Sequence, residues 1–124
     1  RKALSKLLIA EAAARQVAST IAAATIVTFT DSGSTSLRAA RERPEVPILG
    51  LTPNAATARR LTLAWGVHAL LTGTLRDFHE MADDAARIAS RDGFAKAGER
   101  LVITAGIPFG TPGATNILRI AWVD

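Results

Sequence analysis

The sequence predicts an α/β fold, a three-layer sandwich with helices on both faces of a five-stranded, mostly parallel sheet. Three observations predict it. Apolar, β-branched segments alternate with segments of helical periodicity. Hydrophobic residues make up 48% of the chain and charged residues 21%, enough to bury a core. The segment between the last two strands is too short for a crossover helix, which favours an antiparallel last strand or a long hairpin. The 124 residues, 1–124, are expected to form one domain.

Five segments have the composition of buried strands, being rich in β-branched and apolar residues. They are Thr25–Phe29, Val46–Leu51, Val67–Leu71, Leu101–Ala105 and Asn116–Val123. The strands that alternate with helices should be parallel and joined by right-handed crossovers.

Four segments are expected to form helices, and apolar residues recur at helical spacing in the first of them. They are residues 4–23 (one helix, or two with a break), Ser36–Glu42, Ala55–Ala64 and Leu75–Ser90. Pro44, Gly66 and Gly93 are the expected stops of the second, third and fourth helices. Asn54 is the expected cap of the third.

Composition excludes several classes of protein. The chain has no Cys, so disulfides and thiolate metal sites are excluded. No apolar run approaches the roughly 20 residues of a membrane span, and no secretory signal is visible. The chain begins at Arg1, which indicates either processing or a piece of something longer. Fifteen Lys and Arg against eleven Asp and Glu give a net charge of +4, which suggests an anionic partner.

The first candidate site is the polar segment Thr30–Thr35, which runs from the first strand into a helix. Free N–H groups of Ser34, Thr35 and Ser36 would face the positive end of the helix dipole, an arrangement that binds phosphate. Gly33 would let the backbone approach such a ligand closely. The alternative interpretation is an ordinary capped turn, and the segment by itself favours neither.

The second candidate site is the glycine-rich segment 106–115. Its Gly-x-x-x-Gly-x-x-Gly spacing is neither a Walker loop nor a dinucleotide fingerprint, and it leads to a strand. Three glycines with Thr111 and Thr115 suit backbone recognition of an anion, whereas Pro108 and Pro112 also suit a plain hairpin loop. One pocket would form if the sheet order brought both segments to one edge.

Other candidate residues are weaker. His68 lies in an apolar strand and is expected to be a core or edge histidine. His79 and Asp83 are one helical turn apart, but a solvated acidic face with an Asp83–Arg87 pair is favoured over a metal site. The arginines on the second and third helices have the spacing of solvated faces. Nucleic-acid binding remains a minor alternative, since aromatics are only 5% of the residues.

A series of ordered motifs over about residues 10–123 resembles the C-terminal domain of pyruvate kinase. The motifs are Ile26–Thr35 (IVTFTDSGST), Arg41–Ile48 (RERPEVPI), Leu51–Asn54 (LTPN), Ala58-Arg59, Trp65–Val67 (WGV), Gly93–Gly98 (GFAKAG) and Ile103–Asn116 (ITAGIPFGTPGATN). The Thr-Ala-Gly-x-Pro form of the last motif is closer to bacterial members than to animal ones.

The resemblance implies a regulatory and oligomerisation role for this chain. Enzymes of the family transfer phosphate from phosphoenolpyruvate to ADP with Mg²⁺ and K⁺ in the cytoplasm. Their catalytic residues lie in barrel and lid domains that this chain does not contain, so the chain alone is expected to be inactive and to need no cofactor. In many members the C-terminal domain binds a phosphorylated sugar or AMP and helps to form a homo-oligomer.

The resemblance also carries over two sets of site residues. The family's phosphate-binding loop matches Thr30, Ser32, Gly33 and Thr35, with Ser34 as a substitution, and its effector loop matches Gly110, Thr111 and Gly113.

Three departures from the family pattern bear on the effector. Asp31 stands where some sugar-bisphosphate-activated members have Lys, and its carboxylate repels phosphate. Thr74 and Met81 lie nearest to where animal members have a Trp and an Arg, with Arg76 close by. These departures count against fructose bisphosphate and leave a sugar monophosphate, AMP or no effector. A stand-alone phosphometabolite-binding module of the same fold is the alternative to a domain of the enzyme.

Overall fold

The computed structural model describes residues 12–30, 34–42, 44–64, 66–73, 78–105 and 117–124. Within these residues the elements follow one another as helix α1 (12–20), β1 (Thr25–Phe29), α2 (Ser34–Arg41), β2 (Ile48–Thr52), α3 (Ala55–Leu61), β3 (Val67–Leu71), α4 (Phe78–Arg91), β4 (Arg100–Ala105) and β5 (Ile117–Trp122).

The strands form one five-stranded sheet in the order β3-β2-β1-β4-β5. Strands β1 to β4 pair in parallel, and β5 pairs antiparallel with β4. This confirms the predicted fold class and the antiparallel last strand.

The two faces of the sheet carry separate cores, because alternate residues of each strand point to opposite sides. In β1, Ile26 packs in a core with α1, α2 and α3, whereas Val27 packs in a core with α4. Helices therefore cover both faces, as a parallel sheet requires.

Local hydrogen bonds account for both ends of α3. The side chain of Asn54 caps α3 by accepting hydrogen bonds from the N–H groups of Ala56 (2.9 Å) and Thr57 (3.2 Å). Helix α3 was predicted to continue to Ala64, but it ends at Leu61. The Thr62 hydroxyl donates to the Arg59 carbonyl at 2.6 Å, and such a bond competes with the helical one.

Strand β2 begins two residues later than predicted, at Ile48 rather than Val46. Pro47 has no N–H to donate, so the regular pairing starts after it. Its carbonyl still accepts a hydrogen bond from the Ile26 N–H at 3.1 Å. The shift leaves every residue of β2 buried.

Candidate functional site

The carboxyl edge of the sheet between β1 and β4 is the candidate site. The chain leaves β1 toward β2 on one side, and it later enters β4 on the other side of β1. Connections that diverge from neighbouring parallel strands leave a crevice at the carboxyl edge, the usual ligand position in open α/β sheets.

Each predicted loop follows a strand that ends at this edge. Thr30 follows the last residue of β1, and segment 106–116 follows the last residue of β4. Since Ala105 pairs with Ile117, segment 106–116 also ends at this edge. The sheet order thus brings together the starting points of the two segments, which the sequence left undetermined.

The structure describes Thr30 and the backbone of two further predicted site residues, Ser34 and Thr35. Thr30 is buried, and its N–H donates to the Leu51 carbonyl at 2.9 Å. Ser34 and Thr35 are the first two residues of α2, although their side chains lie outside the described part of the chain. Ser32, Gly33 and the predicted loop residues Gly110, Thr111 and Gly113 also lie outside the described residues.

Helix α2 points its N-terminus toward this edge, because it begins directly after the carboxyl end of β1. The first N–H groups of a helix have no partner within the helix, and the helix dipole adds partial positive charge there. The first turn of α2 carries no acidic residue. This end of α2 therefore favours an anion.

A buried hydroxyl cluster lies beneath the first turn of α2. It consists of Thr28, Ser36 and Thr104, each fully buried. The hydroxyls of Thr28 and Ser36 lie 2.6 Å apart in a hydrogen bond. Thr104 is the register partner of Thr28 across β1 and β4.

Gly50 lets α2 approach the sheet closely. It pairs with Thr28, and a Cβ atom at this position would lie 2.9 Å from the Ser36 Oγ. A larger residue would require the Ser36 hydroxyl or the Leu61 methyl group to move.

The sequence analysis did not single out Thr28, Ser36 or Thr104 as a group. The available signal was a hydroxyl residue near the carboxyl end of a mostly apolar strand, as in Thr25–Phe29 (TIVTF) and Arg100–Ala105 (RLVITA). Only the strand order shows that two such residues are neighbours.

A second concave region lies between α4 and β5, with a volume of about 750 Å³. Arg87, Arg91 and Arg119 line it together with Asp83 and Trp122. The sequence analysis did not predict this groove.

Titratable groups elsewhere have local roles. Arg87 pairs with Asp84 at 3.2 Å, rather than with Asp83 as predicted. His68 is exposed on the edge strand β3, where its ring lies 5.0 Å from that of Phe94. The His79 side chain lies outside the described residues.

Two kinds of feature are absent from the described part of the chain. No group of three His, Cys, Asp or Glu side chains is placed there to hold a metal ion. No helix there combines the length and apolarity needed to cross a membrane.

Comparison with known proteins gives a consistent result. Residues 9–121 match the family model described as "Pyruvate kinase, alpha/beta domain". The chain is 51% identical to a pyruvate kinase of Methylorubrum extorquens over 90% of this chain and 23% of that protein. It is 44% identical to one of Agrobacterium vitis over 87% of this chain and 23% of that protein. It is 40% identical to one of Geobacillus stearothermophilus over 94% of this chain and 20% of that protein.

The chain thus spans about a fifth to a quarter of the length of these relatives. The match covers nearly every element of the sheet, including both strands that flank the candidate site. The chain therefore belongs to the pyruvate kinase alpha/beta domain family.

Proposed function

We propose that this chain is the regulatory part of a pyruvate kinase and binds a phosphorylated effector at the carboxyl edge between β1 and β4. The transfer of phosphate from phosphoenolpyruvate to ADP, with Mg²⁺ and K⁺, takes place in domains outside this chain. The observation that carries the proposal is the adjacency of β1 and β4, from which both candidate segments start.

The chemistry of this edge supports a phosphate as the ligand. The N-terminus of α2 supplies partial positive charge and N–H groups that lack a partner within the helix, and segment 30–35 contains four hydroxyl residues, Thr30, Ser32, Ser34 and Thr35. Asp31 adds one negative charge, which disfavours a ligand with two phosphate groups. The arrangement therefore favours a sugar monophosphate or AMP.

Titration of the chain with AMP and with glucose 6-phosphate tests the site. The amide NMR signals of residues 30–36 should shift with saturation at millimolar ligand or below. The variant Ser32→Glu should weaken binding at least tenfold, because its carboxylate repels phosphate. The control Ser90→Glu adds the same charge at an exposed position of α4 and should leave the affinity unchanged. Unchanged spectra at millimolar concentrations of both ligands would refute the site.

The chain by itself should show no turnover, since the catalytic residues belong to other domains of the enzyme. The test is ATP formation from phosphoenolpyruvate and ADP by the purified chain in the presence of Mg²⁺ and K⁺. Measurable turnover above a blank would contradict the proposal that catalysis takes place in domains outside this chain.

Self-association through β5 completes the proposal. Strand β5 is at one end of the sheet, so one side of its backbone has no partner strand among the described residues. Trp122 is 60% exposed on this strand. An unpaired strand edge beside an exposed aromatic side chain is a surface on which a second copy can pair.

A further inference from the structure

Thr104 has a buried hydroxyl that makes no hydrogen bond with the described residues. Nine in ten or more buried polar groups in proteins have a partner, so an unpaired one requires an explanation. Thr104 is fully buried, one residue before the end of β4, and beside Thr28 on the face that α2 covers.

Ser36 is the side chain that could use this hydroxyl. It is the third residue of α2, and its Oγ is already 2.6 Å from Thr28 Oγ1. A hydroxyl donates one hydrogen bond and can accept two, so Ser36 can exchange one hydroxyl partner for another. Thr28 and Thr104 are register partners in adjacent strands, where side chains on one face lie about 5 Å apart.

Ser36 lies close to β2 as well as to β1. Gly50 lies on the opposite side of Thr28 from Thr104, and a Cβ there would already be 2.9 Å from the Ser36 Oγ. Because Gly50 offers no side-chain hydrogen-bond partner, the unused hydroxyl beside Thr28 is that of Thr104, on the β4 side.

We propose that Ser36 has two alternative hydroxyl partners, Thr28 and Thr104, which give the first turn of α2 two hydrogen-bonded positions on the sheet. The second position brings the N-terminus of α2 closer to the end of β4. This part of the inference rests on the proposed function: a phosphate bound at the carboxyl edge between β1 and β4 selects that position, and Thr104 is then a positioning residue for the effector.

A double-mutant cycle tests the exchange without any ligand. Thr28→Val should raise the unfolding equilibrium constant less than about threefold, because Ser36 can turn to Thr104. Thr104→Val should leave it unchanged or lower it, because an unpaired hydroxyl is removed. The double variant should raise it at least tenfold more than the two single changes combined, since Ser36 then has neither partner.

The matched control pairs Thr104→Val with Thr25→Val. The Thr25 hydroxyl donates to the Phe94 carbonyl at 2.7 Å, and it belongs to the same strand as Thr28 but not to the hydroxyl cluster. The effects of these two changes on the free energy of unfolding, measured with urea, should be additive. Additivity of the Thr28 and Thr104 changes would overturn the proposal, and it is the result expected if a buried water satisfies Thr104.

The ligand arm measures AMP affinity of the same variants. Thr104→Val should bind AMP about five- to tenfold more weakly, the equivalent of one hydrogen bond, and Thr104→Ser should restore binding. Wild-type affinity in Thr104→Val would overturn the role of Thr104 in effector binding. If the wild-type chain binds neither AMP nor glucose 6-phosphate, the proposed effector site is wrong. The double-mutant cycle still tests whether Ser36 exchanges its hydroxyl partner.

Discussion

At the scale of single residues, Gly50 leaves room for the hydroxyl of Ser36 beside the sheet. An added Cβ would lie 2.9 Å from Ser36 Oγ and 3.4 Å from a methyl carbon of Leu61, closer than such atoms pack without displacement. The Ser36 hydroxyl is held by its bond to Thr28. Glycine at this position therefore keeps the first turn of α2 on the sheet.

We expect Gly50→Ala to lower the free energy of unfolding by about 1–3 kcal/mol, since a methyl group inserted into a filled space forces neighbours apart. Urea unfolding followed by circular dichroism measures it. Gly73→Ala is the control, because a Cβ there meets no atom within 4 Å. Equal stability of the two variants would contradict the packing role of Gly50.

Among the described carboxyl groups, Asp92 has a shifted pKa. The guanidinium of Arg91 donates to its two oxygens at 2.9 Å and 3.2 Å, which lowers the pKa of Asp92 below its ordinary value. A lowered pKa in the folded state means that the pair stabilises the fold above the ordinary carboxyl pKa. This contribution disappears as pH falls through the lowered pKa.

We expect Arg91→Gln to return the pKa of Asp92 to its ordinary range, because both the hydrogen bonds and the positive charge are removed. NMR titration of the Asp92 carboxyl carbon measures it directly. Arg87→Gln, which removes a guanidinium bound to Asp84 instead, should leave the pKa of Asp92 unchanged. The same pKa of Asp92 in wild type and Arg91→Gln would show that the pair does not form in solution.

At the scale of the elements, α3 shows the contribution of a cap. It has seven residues, fewer than an isolated helix needs to be stable. Asn54 satisfies two N–H groups at its start, and the buried side chains of Thr57 and Leu61 hold it on the sheet. Arg59 and Arg60 in its last turn favour the negative end of the helix dipole.

We expect Asn54→Ala to destabilise the chain by about 1 kcal/mol, the usual cost of losing an N-cap. Asn54→Asp keeps an accepting oxygen and adds a charge that suits the helix start, so it should retain stability or gain slightly. Thermal unfolding of the two variants provides the comparison. A melting temperature for Asn54→Ala equal to that of the wild type would contradict the importance of the cap.

At the scale of the whole molecule, exposed apolar side chains lie at both ends of the sheet. Trp122 is 60% exposed on β5 at one end. Leu71 is 60% exposed on β3 at the other, and Leu63, in the turn before β3, is 89% exposed. Both ends present apolar surface, but the proposed contact between copies is at β5.

We expect Trp122→Glu to shift the chain toward the monomer in sedimentation velocity, because the charge would be brought next to its own copy across a two-fold contact. Leu63→Glu places the same charge at the opposite end and should leave association unchanged. Association that is weakened equally by both changes, or that is absent from the wild-type chain, would contradict self-association through β5.

The amino-acid sequence by itself determined the strands, the helices and the chemistry of the two polar segments. These features depend on local patterns: β-branched runs such as Thr25–Phe29, the Asn54 cap, and the shortness of segment 106–115. The boundaries of β2 and α3 were less accurate, because Pro47 and Thr62 redirect single backbone hydrogen bonds.

Only the tertiary structure decided that β1 and β4 are neighbours, since strand order depends on contacts between residues more than 70 positions apart in the chain, as in Thr25 and Leu101. That pairing brings the two candidate loops to one edge. It also places Thr28 beside Thr104 under Ser36, a cluster that no local pattern contains. The sequence supplied the polar groups, and packing across the sheet selected which of them meet.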